Sequence, residues 1–347
     1  MSAGLPRQAE TFTVTGKVIG KVTGTVTGTS AAQRAATPQR PRLQLAAALS
    51  LALVLAACQT AGKPAGNSVS ANAARAAAVQ TAALPALPGT ATTSAGPALA
   101  FAPPGQAEPR AHAAIVIDAA SGSVLHEEQA DALRYPASLT KMMTLYLLFD
   151  AVSEGRVSLD TPLSVSARAA GQPPAKIGLR QGGTITVSQA IQALAVKSAN
   201  DVAVTVAENL GGSEAAFART MTSKARALGM RRTHFVNASG LPDPRQVTTA
   251  RDMAILSRAL KSRHANRARA FTARSFSYNG RTFEATNNLL GRVAGVDGIK
   301  TGYIRLSGYN LAASARRGGR QVIAVVFGGE SEGARDREVT ALIEQYL

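Results

Sequence analysis

The sequence predicts an α+β domain over residues 111–347, with one antiparallel sheet formed by strands from both ends of the segment and helices between them. Three observations carry this expectation: β-rich texture at 113–128, helical periodicity in several segments between 136 and 262, and a return to β texture at 274–329 before one last helical stretch. Hydrophobic residues are 46% of the 347, aromatic ones only 4%, and Trp is absent, so aliphatic side chains and Ala must fill the core.

The elements follow in order. "AAIVIDAASGSVLHEE" (113–128) reads as two strands around Ser121-Gly122. "PASLTKMMTLYLLFD" (136–150) reads as a helix with Pro136 in its first turn, where a missing N–H is harmless. That segment is apolar on nearly every side, which predicts a central, buried helix. Residues 187–197 and 200–210 read as two helices joined through "KSAN". "SEAAFARTMTSKARALG" (213–229) has a Ser N-cap and a Gly stop, and 248–262 is a further helix. "RSFSYNGRTFEATN", "GIKTGYI" and "YNLAASARRGGRQVIAVVFGG" read as strands, the last two long ones joined by "RRGGR". "GARDREVTALIEQYL" (333–347) closes the chain as an amphipathic helix.

Upstream, the reading is of an address. "LQLAAALSLALVLAAC" (43–58) follows Arg40 and Arg42 and ends in small residues, the layout of a secretory signal. It is short for a membrane span. "Leu55-Ala56-Ala57-Cys58" resembles the bacterial lipobox, and Cys58 is the sole cysteine. Each buried acyl methylene contributes about 0.8 kcal/mol, so several chains on one residue would anchor firmly. Gln59, in place of Asp, leans toward an outer membrane. Residues 1–40, with Gly at 16, 20, 24 and 28, read as an extension ahead of the true start. The Ala/Pro/Ser/Thr/Gly stretch 59–110 cannot bury enough apolar area to fold and reads as a tether with a mean reach on the order of 40 Å. The expected organisation is an extension and signal over 1–57, a tether over 58–110 and a globular domain over 111–347.

Net charge is +17, of which residues 111–347 hold +10. This balance suits a membrane surface or an acidic wall polymer. No Arg/Lys stripe is interleaved with aromatics, which argues against nucleic acid. One Cys forms no disulfide within the chain, and neither H-E-x-x-H nor C-x-x-C occurs, so no metal and no cofactor are expected.

Three short motifs carry chemistry. Ser138-Leu139-Thr140-Lys141 is S-x-x-K; on a helix, positions three apart share a face, and a helix N-terminus favours a developing anion. A free Lys has a pKa of about 10.4, leaving about one in 2,500 neutral at pH 7, so Lys141 can act as a base only if desolvated or placed near another cation. Ser198-Ala199-Asn200 is S-x-N, which could equally cap the following helix. Lys300-Thr301-Gly302 is K-T-G on a predicted strand, where Gly302 permits close approach of a substrate backbone and Lys300 supplies the second cation. Each motif alone is weak. Together, in this order, with 60 residues from Ser138 to Ser198 and 102 from Ser198 to Lys300, they are specific.

With "NASGLP", "VDGIKTGY" and "GYNLAASA", residues 113–347 strongly resemble the low-molecular-mass penicillin-binding proteins, the serine D-alanyl-D-alanine carboxypeptidases. The resemblance implies a β-lactamase/penicillin-binding-protein-like fold, an antiparallel sheet flanked by helices with a mostly helical subdomain. It implies Ser138 as the acylated nucleophile, Lys141 as its base and Ser198 as the relay to the leaving amine. Asn200 would orient the substrate amide and Lys141, and Lys300 and Thr301 would bind the substrate carboxylate. The oxyanion hole would be the backbone N–H groups of Ser138 and Tyr303. The implied substrate is a peptidoglycan stem peptide ending in D-Ala-D-Ala, and β-lactams would acylate Ser138. The implied location is the periplasm or cell envelope.

The chain departs from the pattern in two respects. It stops at Leu347 where many family members continue into a small β-domain and a membrane-binding tail, so anchoring is expected at the N-terminus instead. The stretch "ATNNLL" (285–290) lacks the basic or His side chain often found there, which weakens the expected carboxylate site. Among rivals, a DD-endopeptidase shares all three motifs, and a non-catalytic wall-binding lipoprotein could share the fold. G-x-S-x-G at 329–333 has no His after it and reads as a helix cap at Ser331. A class A β-lactamase would need E-x-x-L-N, and "AENLGG" is spaced wrongly for it.

Overall fold

The computed structural model describes residues 105–347. The predicted signal, Cys58 and most of the predicted tether lie outside the described residues.

The chain enters through β1 (Ala113–Asp118) and β2 (Val124–Glu128). A 3-10 turn at Ala137–Thr140 then leads into α1 (Lys141–Ser153). Next come β3 (Pro162–Ser164), α2 (Ala167–Ala170), β4 (Thr184–Thr186) and α3 (Val187–Gln192), which widens into a π turn over Ala193–Lys197. The helical part continues with α4 (Asn200–Gly211), α5 (Glu214–Leu228) and α6 (Ala250–Arg263). A second 3-10 turn (Arg267–Thr272) precedes the hairpin β5 (Ser275–Tyr278) and β6 (Arg281–Glu284). The chain finishes with β7 (Val296–Ile304), β8 (Gly308–Arg317), β9 (Arg320–Gly329) and α7 (Glu332–Tyr346).

The predicted sheet from both chain ends is present, with strand order β2-β1-β9-β8-β7 and every pairing antiparallel. Its central strands read as unbroken apolar runs because both faces are covered. Ile115, Ile117, Ile323 and Val325 join the core built with α1, α4, α5 and α6, while Ala114, Val116, Ala324 and Val326 pack with Val339, Leu342 and Ile343 of α7. Two hairpins use the backbone that two-residue turns demand: Asn279-Gly280 and Gly318-Gly319 all have positive φ.

α1 is buried on nearly all sides, as its composition requires. Ser213 Oγ caps α5 through the Ala216 N–H, and Ser331 Oγ caps α7 through the Ala334 N–H, so the hydroxyl in G-x-S-x-G is a helix cap.

Three local expectations need correction. The segment from Pro136 is not one helix, because Ala137 has φ +48° and the α-helix proper starts at Lys141. Residues 187–197 are not one α-helix either, since the last five form the π turn, which ends on Ser198 at φ +62°. Neither Ser198 nor Asn200 caps α4; the N-cap position is Ala199, with no side-chain cap. A further small sheet, β3 with β4, was too short to be read from periodicity.

Candidate active site

The first corrected element brings nucleophile and base together. In a 3-10 turn side chains at i and i+3 eclipse, so Lys141, at the end of that turn, stands over Ser138. Its Nζ lies 3.0 Å from Ser138 Oγ, and it donates to Asn200 Oδ1 (2.8 Å) and to the Ser239 carbonyl. The turn is pinned from behind by Asn310, buried in β8, whose Nδ2 donates to the Tyr135 carbonyl at 3.0 Å. It is pinned from the sides by two glycines. A Cβ on Gly240 would lie 1.9 Å from the Ala137 carbonyl oxygen, and one on Gly302 would lie 3.0 Å from Ser138 N. A side chain at Gly302 would thus meet the chain's own nucleophile turn.

The π turn delivers S-x-N to the same place. A π turn advances more slowly than an α turn and throws the following residue sideways. Ser198 lands in left-handed conformation, its Oγ buried and without a hydrogen-bond partner among the described residues. Asn200 bridges inward to Lys141 and outward to the Pro173 carbonyl, to which Nδ2 donates at 3.0 Å.

β7 is an edge strand of the sheet and carries K-T-G along the cleft. Thr301 Oγ1 donates to Thr286 Oγ1 at 2.7 Å. Tyr303 is 50% exposed, with its ring 4.4 Å from that of Tyr309. The cleft has a volume of about 320 Å³, and Ser138, Ser198, Asn200, Thr301, Gly302 and Tyr303 all line it. Lys300 does not. It is 1% exposed, and its Nζ donates to the Thr301 carbonyl at 3.1 Å. The sequence expectation of a Lys300–Thr301 pair in direct contact with a ligand therefore divides: Thr301 faces the cleft, and Lys300 acts from behind its wall.

Electrostatics follow from that burial. Lys141 is 0% exposed, and desolvation drives its pKa well below the ordinary lysine value. The Lys300 charge pushes it lower still, while buried Asp201 pulls it upward. Lys300 is itself lowered to about 7, first by burial and then by the Arg335 charge. A lysine so placed can hold a neutral amine 3.0 Å from a hydroxyl, the condition for drawing a proton from Ser138.

Several residues of the site escaped the sequence reading. Arg335 on α7 lines the cleft at 2% exposure, its guanidinium held by Asp336 at 2.5 Å and by Glu332 at 3.6 Å. It brings a positive charge to the cleft from α7, whereas 285–290 has none. The only signal was one of two arginines, Arg335 and Arg337, in a helix where arginines ordinarily face water. Asp201, fully buried, accepts N–H bonds from Ile177 (3.3 Å), Gly178 (2.9 Å) and Leu179 (3.0 Å), fixing the segment that carries Pro174 and Ala175 into the lining. Asn237 Oδ1 accepts from the Ser239 and Gly240 N–H groups at 3.2 and 2.7 Å, shaping the opposite lip. Among the described residues no cluster of His, Cys, Asp and Glu could hold a metal ion, and no helix is long and apolar enough to cross a membrane.

Comparison with known proteins points the same way. Residues 100–331 match the model of the peptidase S11 family, described as D-alanyl-D-alanine carboxypeptidase. The chain is 37% identical over 247 residues to D-alanyl-D-alanine carboxypeptidase DacA of Escherichia coli, covering 69% of this chain and 61% of that protein. It is 33% identical over 240 residues to DacF of Bacillus subtilis, covering 67% and 61%. The match thus spans about three fifths of the length of these relatives. Among solved structures, penicillin-binding protein 5 of Haemophilus influenzae superposes with a TM-score of 0.66 at 30% identity, over 70% of this chain and 72% of that one. Penicillin-binding protein D2 of Listeria monocytogenes in its cefotaxime-bound form gives 0.62 at 34% identity, over 68% and 96%. With the three motifs gathered at one cleft, this chain belongs to the D-alanyl-D-alanine carboxypeptidase family of serine peptidases.

Proposed function

We propose that this chain is a serine D-Ala-D-Ala carboxypeptidase of the bacterial envelope that trims peptidoglycan stem peptides and is acylated by β-lactams. The observation that carries the reading is the 3.0 Å approach of Ser138 Oγ to a fully buried Lys141 at the edge of an open cleft. Neutral Lys141 takes the Ser138 proton as Oγ attacks the carbonyl carbon of the penultimate D-Ala. The developing oxyanion is held by the Ser138 and Tyr303 N–H groups, donors of a kind worth about 3 kcal/mol each. The Ser198 hydroxyl gives its proton to the departing amine and takes one from Lys141 in its place, so the terminal D-Ala leaves and the lysine is neutral again. Asn200 holds Lys141 in place; Thr301 and Arg335 face the carboxylate of the outgoing residue, with Lys300 adding its field from beneath. Water, deprotonated by the same lysine, then cleaves the Ser138 ester.

The test has two parts. Fluorescent penicillin should label the full chain and fail to label Ser138→Ala. A soluble pentapeptide ending in D-Ala-D-Ala should be cleaved faster than a cross-linked peptide dimer; the reverse preference would make the enzyme a DD-endopeptidase. Labelling that survives Ser138→Ala would defeat the assignment altogether. The anchor belongs to the same reading: Cys58 is proposed to carry lipid, and replacing it by Ser should release the protein from membranes in cell fractionation.

A further inference from the structure

From Met253 to Phe283 the chain has seven Lys and Arg residues and no Asp or Glu, so these thirty-one residues hold +7 of the +10 carried by 111–347. The structure leaves most of this charge uncompensated. Lys261 pairs with Asp297 at 2.8 Å. The six arginines, Arg258, Arg263, Arg267, Arg269, Arg274 and Arg281, form no ion pair among the described residues. Some arginines elsewhere in the domain do pair with carboxylates, as in Arg168–Glu214, Arg251–Asp131 and Arg317–Glu344; what sets 253–283 apart is that its basic residues are so close in sequence with no acidic residue between them.

The contacts these six make are to neutral groups, and the one carboxylate on the same hairpin is Glu284 at the end of β6. Arg258 donates to the Ala119 and Ala120 carbonyls, Arg267 to Ser153 Oγ, and Arg281 lies over the Phe283 ring. Arg263, Arg269, Arg274 and Arg281 are exposed. They follow the end of α6, the second 3-10 turn and the β5–β6 hairpin, and the turn and the hairpin both pack on the π turn behind Ser198. None of them lines the catalytic cleft. A partner held here leaves the cleft free.

The chemistry of that partner is constrained. A membrane-docking face needs a group of apolar side chains to insert together; here the exposed ones are single, Val124 beside Arg258 and Arg263 and Leu159 beside Arg267 and Arg269, so charged groups outnumber them. A single-stranded nucleic acid needs free aromatic faces, but Phe276 and Phe283 stack on each other at 5.4 Å. Exposed guanidiniums suit carboxylates, which they grip in bidentate fashion, and an array of individually weak contacts suits a polymer that repeats the group.

We propose that this arginine face docks the carboxylate-bearing wall polymer whose stem peptides enter the cleft. The proposal rests on the carboxypeptidase reading for its choice of polymer. Docking would keep the enzyme on one stretch of wall between successive cleavages.

The experiment compares the full chain with a variant carrying Arg263→Gln, Arg269→Gln, Arg274→Gln and Arg281→Gln, and with a variant carrying Lys at the same four positions. Binding is read by co-sedimentation with purified sacculi across a salt series, and separately with vesicles containing phosphatidylglycerol. Turnover is read on a soluble pentapeptide. The Gln variant should bind sacculi about tenfold more weakly at low salt and lose most of the salt dependence, with the Lys variant close to wild type and pentapeptide turnover equal in all three. Equal sedimentation of all three chains with sacculi overturns the docking surface. Arginine-dependent binding to vesicles but not to sacculi overturns it in favour of a lipid surface. Failure of the wild type to cleave pentapeptide instead strikes the function on which the choice of polymer rests.

Discussion

On one side of the cleft Ser138, Gly302 and Tyr303 sit on a 3-10 turn and a strand; on the other, Pro174, Ala175 and Leu241 sit on segments with no regular structure. The first side is held backbone against backbone, through the close approach at Gly302, through Gly240, which presses on it from the turn of the second side, and through the Asn310 amide. The second is held by buried side chains that reach out of helices and turns: Asp201 to three N–H groups, Asn200 to the Pro173 carbonyl and Asn237 to its own turn. The first wall therefore depends on the absence of atoms, the second on the charge and shape of a few polar groups. The two should fail differently.

The largest effect is expected at Gly240. An Ala there places a methyl against the Ala137 carbonyl at φ +83°, a clash no rotamer relieves, so the nucleophile turn must move. Misplacement on the order of 1 Å typically costs about 100-fold in rate. Gly240→Ala should slow penicillin acylation by at least that factor, measured by stopped labelling; an unchanged rate would mean that the turn is not held as described.

Next come two substitutions that should shift the same pH profile in opposite senses. The Lys300 charge lowers the Lys141 pKa, so Lys300→Gln should raise it. The base form would then appear at higher pH, and the acid limb of the acylation rate should move upward, with slow reaction at neutral pH recovered in alkali. Asp201 raises the Lys141 pKa, so Asp201→Asn should move that limb downward. The latter change also weakens charge-assisted bonds to the 177–179 segment, each worth about 1.5–3 kcal/mol, and should lower the melting temperature. Shifts of the same sign would break the electrostatic account of the lysine pair.

The smallest effect lies away from both walls. Thr249 Oγ1 caps α6 through the Asp252 N–H at 3.0 Å. Thr249→Ala should lose about 1 kcal/mol of stability in denaturant titration while leaving acylation unchanged.

The contrast between the walls also explains what could be read in advance. Ser138, Lys141, Lys300 and Thr301 were legible because their chemistry is packed into tetrapeptides and tripeptides, and the sheet was legible because its strands are long and doubly buried. The 3-10 and π turns were not, since four or five residues cannot distinguish three, 3.6 or more residues per turn. Asp201 was hidden because its partners lie more than twenty residues upstream, a relation only tertiary structure creates. Arg335 was hidden because a helix pattern does not say which polar residue faces a cleft instead of water. Lys300 was read correctly as a neighbouring cation, but its place behind the wall depended on how β7 packs.

The pairing of Ile115 with Val325 joins the first strand of the domain to the last. Until β9 has been made, β1 has one open edge, and Ile115 and Ile117 lack their β9 neighbours Ile323 and Val325 in the core. Such long-range closure makes folding slow and late. The five-stranded sheet therefore cannot close until β9 is present to join its two halves.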